Sequence, residues 1–163
     1  MGLDMNLLKK KKGERKNSKS WNNVGYWRKA NQIHRWFVEN VQKGIDDCGY
    51  YRVSLKQLLA LRDKCLKVIE TAKLEKGKIC VGKRYIGKRY NGSEWEPIME
   101  DGEYITNPDE VSEILPTTSG FFFGSTDYDQ YYMQDIEDTI EIINEVIATT
   151  NFDEEYIVYT SSW

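Results

Sequence analysis

The strongest pattern in the chain is a helical one over residues 127–149, and it limits what the rest of the chain can form. Apolar side chains recur three or four residues apart on one helix face, at Tyr132, Ile136, Ile140, Ile143 and Ile147. The opposite face is polar and acidic. Such a helix packs its apolar face on another element, and the alternating residues 156–160 predict that a strand follows it.

Earlier segments predict two further main helices and a short one. Residues 26–42 repeat apolar side chains at helical spacing and leave Trp36 on the polar side, where it could pack under a loop or stack on a ligand or partner. A second helix begins at Ser54, because Ser54 and Gln57 have the spacing of a capping box. Residues 107–115 predict the short helix, which starts with an Asn cap and a proline.

These elements predict an α+β fold for residues 1–163 as a single domain. Residues 2–8 alternate weakly and predict a first strand. We therefore expect three main helices on a small, largely antiparallel sheet that includes both ends of the sequence. The expected core contains Tyr26, Ile33, Phe37, Leu58, Leu66, Ile136, Ile140 and Ile143.

Two segments between these elements differ from them in amino-acid composition and pattern. Residues 9–20 are basic and poor in apolar side chains, which predicts a mobile loop. Residues 77–106 contain short β-like runs cut by glycines, which predicts a hairpin-rich region. Its turns are expected at Asn91-Gly92 and Asp101-Gly102, the dipeptides that tight hairpin turns favour.

Charge is divided between the two halves of the sequence. Residues 1–89 hold all 23 Lys and Arg with only eight acids, a net of +15, and residues 90–163 hold the other eighteen acids, a net of −18. The overall net charge is therefore only −3. Either the halves attract each other inside one fold, or one face presents a strong field to a partner.

Several function classes are disfavoured by what the sequence contains. Cys48, Cys65 and Cys80 are an odd count at wide spacing, which argues against a disulfide framework and against a zinc site. Neither an apolar run of membrane-spanning length nor a secretory stretch is present. We expect a cytoplasmic protein without membrane contact, bound metal or cofactor.

Aromatic side chains lie beside basic and polar ones in two places. One is the first helix, and the other is a Phe-rich, hydroxyl-rich corner before the third helix. Aromatic rings stack on bases and basic groups contact phosphate, so this pairing is typical of nucleotide recognition. The candidate ligand-binding residues are Trp27, Arg28, Asn31, His34, Arg35 and Arg62 on one wall and Ser119, Phe122, Ser125, Thr126 and Tyr128 on the other.

The leading hypothesis is therefore a non-enzymatic protein that sequesters a small phosphorylated or nucleotide-derived signalling ligand. Arg62 lies on an apolar helix stripe, so it needs a counter-charge. An ion pair with Asp129 or Asp135 is favoured, and a ligand phosphate is the alternative.

Two other hypotheses stay open. Glu137, Asp138, Glu141 and Glu145 share one helix face, which could mimic nucleic acid and bind a basic groove of a protein partner, although a solvated face is favoured. His34 could also act in a hydrolase with a carboxylate such as Asp129, although a structural role is favoured for a lone histidine. Direct nucleic-acid binding is not expected, because the run of residues 9–12 suits a solvated loop. A homo-oligomer is possible.

Several sequence words resemble an uncharacterised family of small bacteriophage proteins. They are YWRKANQIHRWF at residues 26–37, LPTTSGFFFGSTDYD at residues 115–129, and the closing SSW, with a similar GLDM at residues 2–5. The resemblance covers most of the chain and implies a phage origin and a cytosolic life in an infected bacterium. Because small phage accessory proteins often neutralise host defences, it also suggests an anti-defence role. It carries no fold or activity with it.

Overall fold

A computed structural model describes residues 2–14, 21–81 and 88–163, apart from the side chains of Lys88 and Trp95. The strands are β1 (Asp4–Lys11), β2 (Asn22–Arg28), β3 (Tyr51–Val53), β4 (Leu74–Cys80), β5 (Lys88–Tyr90), β6 (Trp95–Pro97), β7 (Met99–Ile105) and β8 (Glu155–Ser162). The helices are α1 (Asn31–Asn40), α2 (Leu55–Thr71), α3 (Pro108–Ser112) and α4 (Gln130–Thr149). The predicted α+β class with three main helices is confirmed.

The main sheet has the strand order β2-β1-β8-β3, and all its neighbouring strands are antiparallel. The predicted sheet, with both ends of the sequence in it, is confirmed. Successive side chains of a strand point to opposite faces. β8 therefore directs Ile157 and Tyr159 to one face of the sheet and Tyr156 and Val158 to the other.

Helices cover the face that carries Tyr159. Its ring stacks on Phe37 of α1 with the centroids 3.9 Å apart. From β2, Trp27 donates its indole N–H to the hydroxyl of Thr139 in α4 over 2.9 Å. The core lies in this layer. It includes the predicted residues Ile33, Phe37, Leu58, Ile136 and Ile143, with Ile140 partly buried at its margin.

The prediction that Tyr26 and Leu66 belong to the core is wrong. Tyr26 is 50% exposed because it belongs to β2, where it lies opposite Asn6 on the sheet face away from the helices. Leu66 is 48% exposed because α2 buries a different stripe. That stripe consists of Leu58, Leu61, Cys65 and Val68.

The first predicted helix is shorter than its apolar spacing indicates. The chain runs as a strand to Arg28, Lys29 takes a left-handed conformation with φ of 57°, and α1 begins at Asn31. Trp36 is only 7% exposed. Its ring meets Phe37 edge-on, and it lies beside residues 113–116, so it packs under a loop.

Residues 9–11 are not the predicted loop, because they extend β1 along β8. Lysine carries a long apolar stem that can follow a protein surface to a distant acceptor. The ammonium group of Lys9 donates to the carbonyl of Thr149 at the end of α4 over 2.8 Å, and that of Lys12 donates to the carbonyl of Phe152 over 2.9 Å. Residues 15–20 of the predicted loop lie outside the described residues.

Within the described residues, the hairpin-rich region contains strands of two small antiparallel sheets, β4 with β7 and β5 with β6. Residues 82–87 of the predicted region lie outside the described residues. The turn after Asn91 is confirmed between β5 and β6, with Gly92 at φ of 100°. The turn predicted at Asp101-Gly102 is wrong, because Gly102 lies inside β7 opposite Gly77. A side chain at Gly102 would crowd Ile79, since a Cβ there would lie 2.5 Å from Cδ1 of Ile79.

The helix starts follow local rules. The capping box of Ser54 and Gln57 is present at the start of α2. The side chain of Asp129 caps α4 by accepting from the backbone N–H groups of Tyr131 and Tyr132. Within the described ranges, none of the helices combines the length and the apolar content needed to cross a membrane.

Candidate functional site

The predicted corner before α4 is held together by Asn31, which is fully buried. Its Nδ2 donates to the carbonyl oxygens of Phe123 and Ser125 over 3.1 and 2.8 Å, and its Oδ1 accepts from the N–H of Thr118 at 3.0 Å. All three bonds are internal. Asn31 therefore fixes the loop on α1, which is a structural role rather than the predicted ligand contact.

His34 lies beneath the same loop with both ring nitrogens engaged. Nδ1 is 2.6 Å from the hydroxyl of Tyr159, and Nε2 is 3.0 Å from Oδ2 of Asp46. Burial, and secondarily the negative charge of Asp46, raises the pKa of Tyr159 well above its ordinary value, so its phenol stays protonated. The indole N–H of Trp163 donates to the other oxygen of Asp46 over 3.1 Å.

This network bears directly on the hydrolase hypothesis. With a neutral imidazole, Tyr159 donates to Nδ1 and Nε2–H donates to Asp46; a protonated imidazole would donate from both nitrogens. In either state no ring nitrogen remains to accept a proton from a substrate. The carboxylate at His34 is Asp46, whereas Asp129, the predicted partner, caps α4.

A cavity of about 690 Å³ lies over this network, and we call it the corner cavity. Exposed aromatic rings at Phe121 and Trp163 stand at its wall, and Arg35 lines it. The guanidinium of Arg35 is paired with Glu39 over 2.8 Å, and Asp46 is a second carboxylate in the lining. One cation thus faces two carboxylates, an arrangement that disfavours an anionic ligand.

Several predicted site residues lie away from this cavity. Trp27 is buried against α4, and Arg28 lies on the opposite face of the sheet, 3.0 Å from Asp4. Arg62 donates to the side-chain oxygen of Asn144 over 2.9 Å. That amide replaces the carboxylate of Asp129 or Asp135 expected for Arg62, because Asp129 is turned to the helix end and Asp135 accepts from Gln32.

The predicted opposite wall is mostly loop framework. Ser119 lines the corner cavity, but the hydroxyl of Ser125 accepts from the N–H of Asp127. The hydroxyl of Tyr128 accepts from the N–H of Thr117 over 3.1 Å. Two further predicted residues act through their backbone carbonyls: that of Phe122 accepts from Leu3, and that of Thr126 accepts from the Thr117 hydroxyl.

A second cavity, of about 720 Å³, lies on the sheet face opposite the helices. We call this face the open face. The cavity is lined by Trp21, Tyr50, Arg52, Tyr156 and Val158. The rings of Trp21 and Tyr50 are stacked, with their centroids 5.8 Å apart.

Two cations lie directly against rings of this group. The guanidinium carbon of Arg52 is 3.9 Å from the ring centre of Tyr156, and the ammonium nitrogen of Lys10 is 4.5 Å from that of Trp21. Both distances are within the range of a cation–π contact. We call these residues, with Tyr50, the aromatic–cation cluster. No carboxylate is among the described residues that line its cavity.

The strands explain how this cluster forms. Lys10 of β1 lies opposite Tyr156 of β8, and Arg52 of β3 lies opposite Val158 of β8, so the central strand brings both cations to one face. The sequence did predict β8, and its alternation separates Tyr156 and Val158 from the buried Ile157 and Tyr159. The sequence did not predict that β8 pairs with β1 and β3, because no local pattern encodes strand pairing.

The acidic face of α4 is solvated, as the favoured interpretation had it. Glu137, Asp138, Glu141 and Glu145 are exposed, and none of them forms an ion pair with a described residue. Ion pairs between the basic residues of 1–89 and the acidic residues of 90–163 occur instead on the small sheets, where they are exposed. These are Lys78 with Asp101 and Arg89 with Glu96, each at 2.7 Å.

Cys65 is the one buried cysteine in the described part of the chain, and Cys48 and Cys80 are partly exposed. No group of three or more His, Cys, Asp or Glu residues there is placed to hold a metal ion. Burial raises the pKa of the Cys65 thiol to about 12, so it stays protonated and unreactive at neutral pH.

No family model matches the chain, and neither the curated proteins nor the solved structures give a significant match. Function therefore has to be argued from the chemistry of the sites themselves.

Proposed function

We propose that this protein binds a nucleotide-derived or phosphorylated ligand without turning it over, and that the aromatic–cation cluster is the binding site. The observation that carries the proposal is the cavity in which Arg52 lies against Tyr156, with no carboxylate among the described residues of the lining. Lys10, which is only 2% exposed, lies against Trp21 of the same lining. The ligand class is the one expected from the sequence, but the site is different.

Arg52 suits the phosphate part of such a ligand. Its guanidinium carbon lies 3.9 Å from the ring centre of Tyr156, and a guanidinium group carries five N–H donors. Arg52 is exposed and forms no ion pair with a described residue. A bidentate bond to phosphate is therefore available without breaking an internal pair.

Tyr50 and Trp21 suit the ring of a base. Tyr50 is 65% exposed, although its ring packs on Trp21. Every base has a π-face, and stacking on an aromatic side chain contributes about 1–3 kcal/mol per base. A base next to Tyr50 and a phosphate at Arg52 use both properties of the cavity at once.

Capture of a signal fits the remaining observations. His34 has no ring nitrogen free for acid–base work, and trapping a ligand requires none. Together with the resemblance to phage proteins, this supports a role in which the protein withholds a nucleotide signal from a host defence system.

Titration calorimetry with AMP, ATP and dTMP tests the site. Trp21→Ala should weaken binding about 5- to 150-fold, the loss of one stacking contact. Arg52→Ala should weaken it at least tenfold, and more for ATP than for AMP. Arg35→Ala is the matched control in the corner cavity and should leave the affinity unchanged.

Two results would reject the proposal. One is the absence of binding by any of these nucleotides at millimolar concentration, together with no ligand found by mass spectrometry after heat release from protein made in defence-positive bacterial cells. The other is a loss of binding in Arg35→Ala with none in Arg52→Ala, which would move the site to the corner cavity.

A further inference from the structure

We infer that the ligand of the open face is single-stranded nucleic acid, with bases distributed from the aromatic–cation cluster at one end to Tyr26 at the other. The inference rests on the proposed function, since it uses the same cluster as one end of the site. It departs from the expectation that the protein does not bind nucleic acid directly. That expectation treated residues 9–12 as a solvated loop.

Strand register gives the length of the face. Along β1, the side chains on this face are Lys10, Leu8, Asn6 and Asp4. Tyr26 lies opposite Asn6, four residue steps from Lys10, so the two ends are roughly 13 Å apart along the strand. A four-stranded sheet is wide enough for two or three stacked bases when its aromatic side chains face outward.

Tyr26 provides a second aromatic platform at the far end. Its ring is 50% exposed, and its hydroxyl donates to Oδ1 of Asp4. The guanidinium of Arg28 is 3.0 Å from the same oxygen, so the ring is held by a fixed polar network. A ring that is both exposed and oriented loses little freedom when a base stacks on it.

Amide groups lie beside Tyr26. The side chain of Asn23 donates to Oδ1 of Asn6 over 2.8 Å, and Asn6 lies opposite both Tyr26 and Thr160. Amides and hydroxyls can bond to the edges of unpaired bases. Leu8 and Val158 lie opposite each other between Tyr26 and the cluster, so the face is aliphatic in its middle and polar beside Tyr26.

The charges have the sign that a nucleic acid requires. The strands place Lys10, Arg28 and Arg52 on this face with one acidic residue, Asp4. Arg28 is paired with Asp4 and Lys10 is only 2% exposed, so Arg52 is the basic residue of the three that is exposed and forms no ion pair with a described residue. The acidic residues of α4 lie in the helical layer behind the sheet. This division draws a polyanion to the open face and away from the helices.

Single strands are favoured over duplexes by the shape of the aromatic groups. Tyr26 and Tyr50 expose their rings on a sheet, where they can meet the faces of bases. In a duplex those faces are covered by neighbouring base pairs, and only an unstacked base presents them.

Fluorescence anisotropy of labelled (dT)3, (dT)6 and (dT)12 against the full chain tests the inference, with (rU)12 as a second probe and dTMP measured by calorimetry. We expect (dT)12 to bind at least tenfold more tightly than dTMP, with an affinity that falls steeply with salt. Tyr26→Ala should remove at least fivefold of the (dT)12 affinity while leaving dTMP unchanged. An unlabelled duplex should compete poorly.

The control variant is Tyr104→Ala, which removes a tyrosine of similar exposure, 38%, from β7 on another sheet. It should leave both affinities unchanged. If (dT)12 binds no better than dTMP, or if Tyr26→Ala and Tyr104→Ala behave alike, the inference is overturned while a single-nucleotide site stands. If dTMP and (dT)12 both fail to bind, both the inference and the dTMP arm of the proposed function are rejected.

Discussion

The aromatic–cation cluster and the corner cavity are built from the same residue types and have nearly the same volume, about 720 and 690 Å³. Each combines aromatic rings with one arginine in its lining. In the cluster, the guanidinium carbon of Arg52 lies 3.9 Å from the ring centre of Tyr156, and Arg52 forms no ion pair with a described residue. In the corner, Arg35 is bound to Glu39, and Asp46 adds a second negative charge.

This difference shows why residue content does not identify a binding site. An arginine beside aromatic rings attracts an anion only if its charge is not already compensated. The corner was the better match to the sequence pattern, whereas the cluster is the better match to the chemistry. Variants that alter both regions, the corner alone, or neither region test this contrast.

Removing residues 156–163 should have the largest effect, because both regions depend on β8. This strand pairs with β1 and β3 and carries the buried residues Ile157 and Tyr159. We expect the truncated chain to lose its cooperative thermal transition in circular dichroism. A truncated chain that melts at the full-length temperature would contradict the sheet order on which both regions rest.

Asn31→Ala should disrupt the corner alone. It leaves one N–H and two carbonyl groups of the loop without their partner, at a cost of about 3 kcal/mol in the free energy of unfolding. Urea unfolding would measure the loss, and calorimetry should show unchanged nucleotide binding at the cluster. A parallel loss of binding would mean that the two regions are coupled.

Alkaline pH should act through Tyr159 in the corner. Its pKa is raised in the folded state by burial and by Asp46, while the unfolded chain has the ordinary value near 10. Above that pH the unfolded state releases the proton and the folded state keeps it. The contribution of Tyr159 is therefore complete below pH 10 and falls by about 1.4 kcal/mol per pH unit above it.

Tyr159→Phe should remove that part of the alkaline slope, measured by urea unfolding from pH 8 to pH 11. It should also lower stability by about 1–2 kcal/mol at neutral pH, because Nδ1 of His34 loses its partner. Tyr156→Phe removes a phenol from the other face of the same strand and is the control. Equal slopes in Tyr159→Phe and the parent chain would contradict this assignment.

The smallest effect on stability and ligand binding is expected on α4. Reversing Glu137, Glu141 and Glu145 to Lys changes only exposed carboxylates that have no cationic partner among the described residues. Stability should change by less than about 0.5 kcal/mol, and nucleotide affinity by less than about twofold. If the parent chain protects phage in defence-positive cells, loss of that protection with both properties intact would instead favour the acidic face as a surface for a host defence protein.

Local signals in the sequence predicted the parts of the fold that depend on neighbouring residues. Ser54 and Gln57 cap α2 as expected, and α4 and β8 occupy the predicted segments within a few residues. Their periodicities come from one element at a time, so a single sequence displays them.

Non-local pairing explains the errors. Tyr26 has helical spacing to later apolar residues, yet its strand is fixed by hydrogen bonds to β1. Strand pairing also explains the error at Lys10. The sequence predicts a basic loop there, but Lys10 lies between neighbouring strands and is only 2% exposed. The cluster joins residues from the strands β1, β3 and β8 and from the chain just before β2, so no sequence window contains it.

The position of β8 inside the sheet has a consequence for synthesis on the ribosome. β1 leaves the exit tunnel roughly 150 residues before the strand that it must pair with, a delay of about 8–30 s at ordinary elongation rates. During that time Leu3, Met5 and Leu7 have no β8 beside them and expose an apolar strand. The nascent chain therefore keeps this apolar strand exposed until β8 emerges, and slow codons in the segment that encodes β8 would lengthen that exposure.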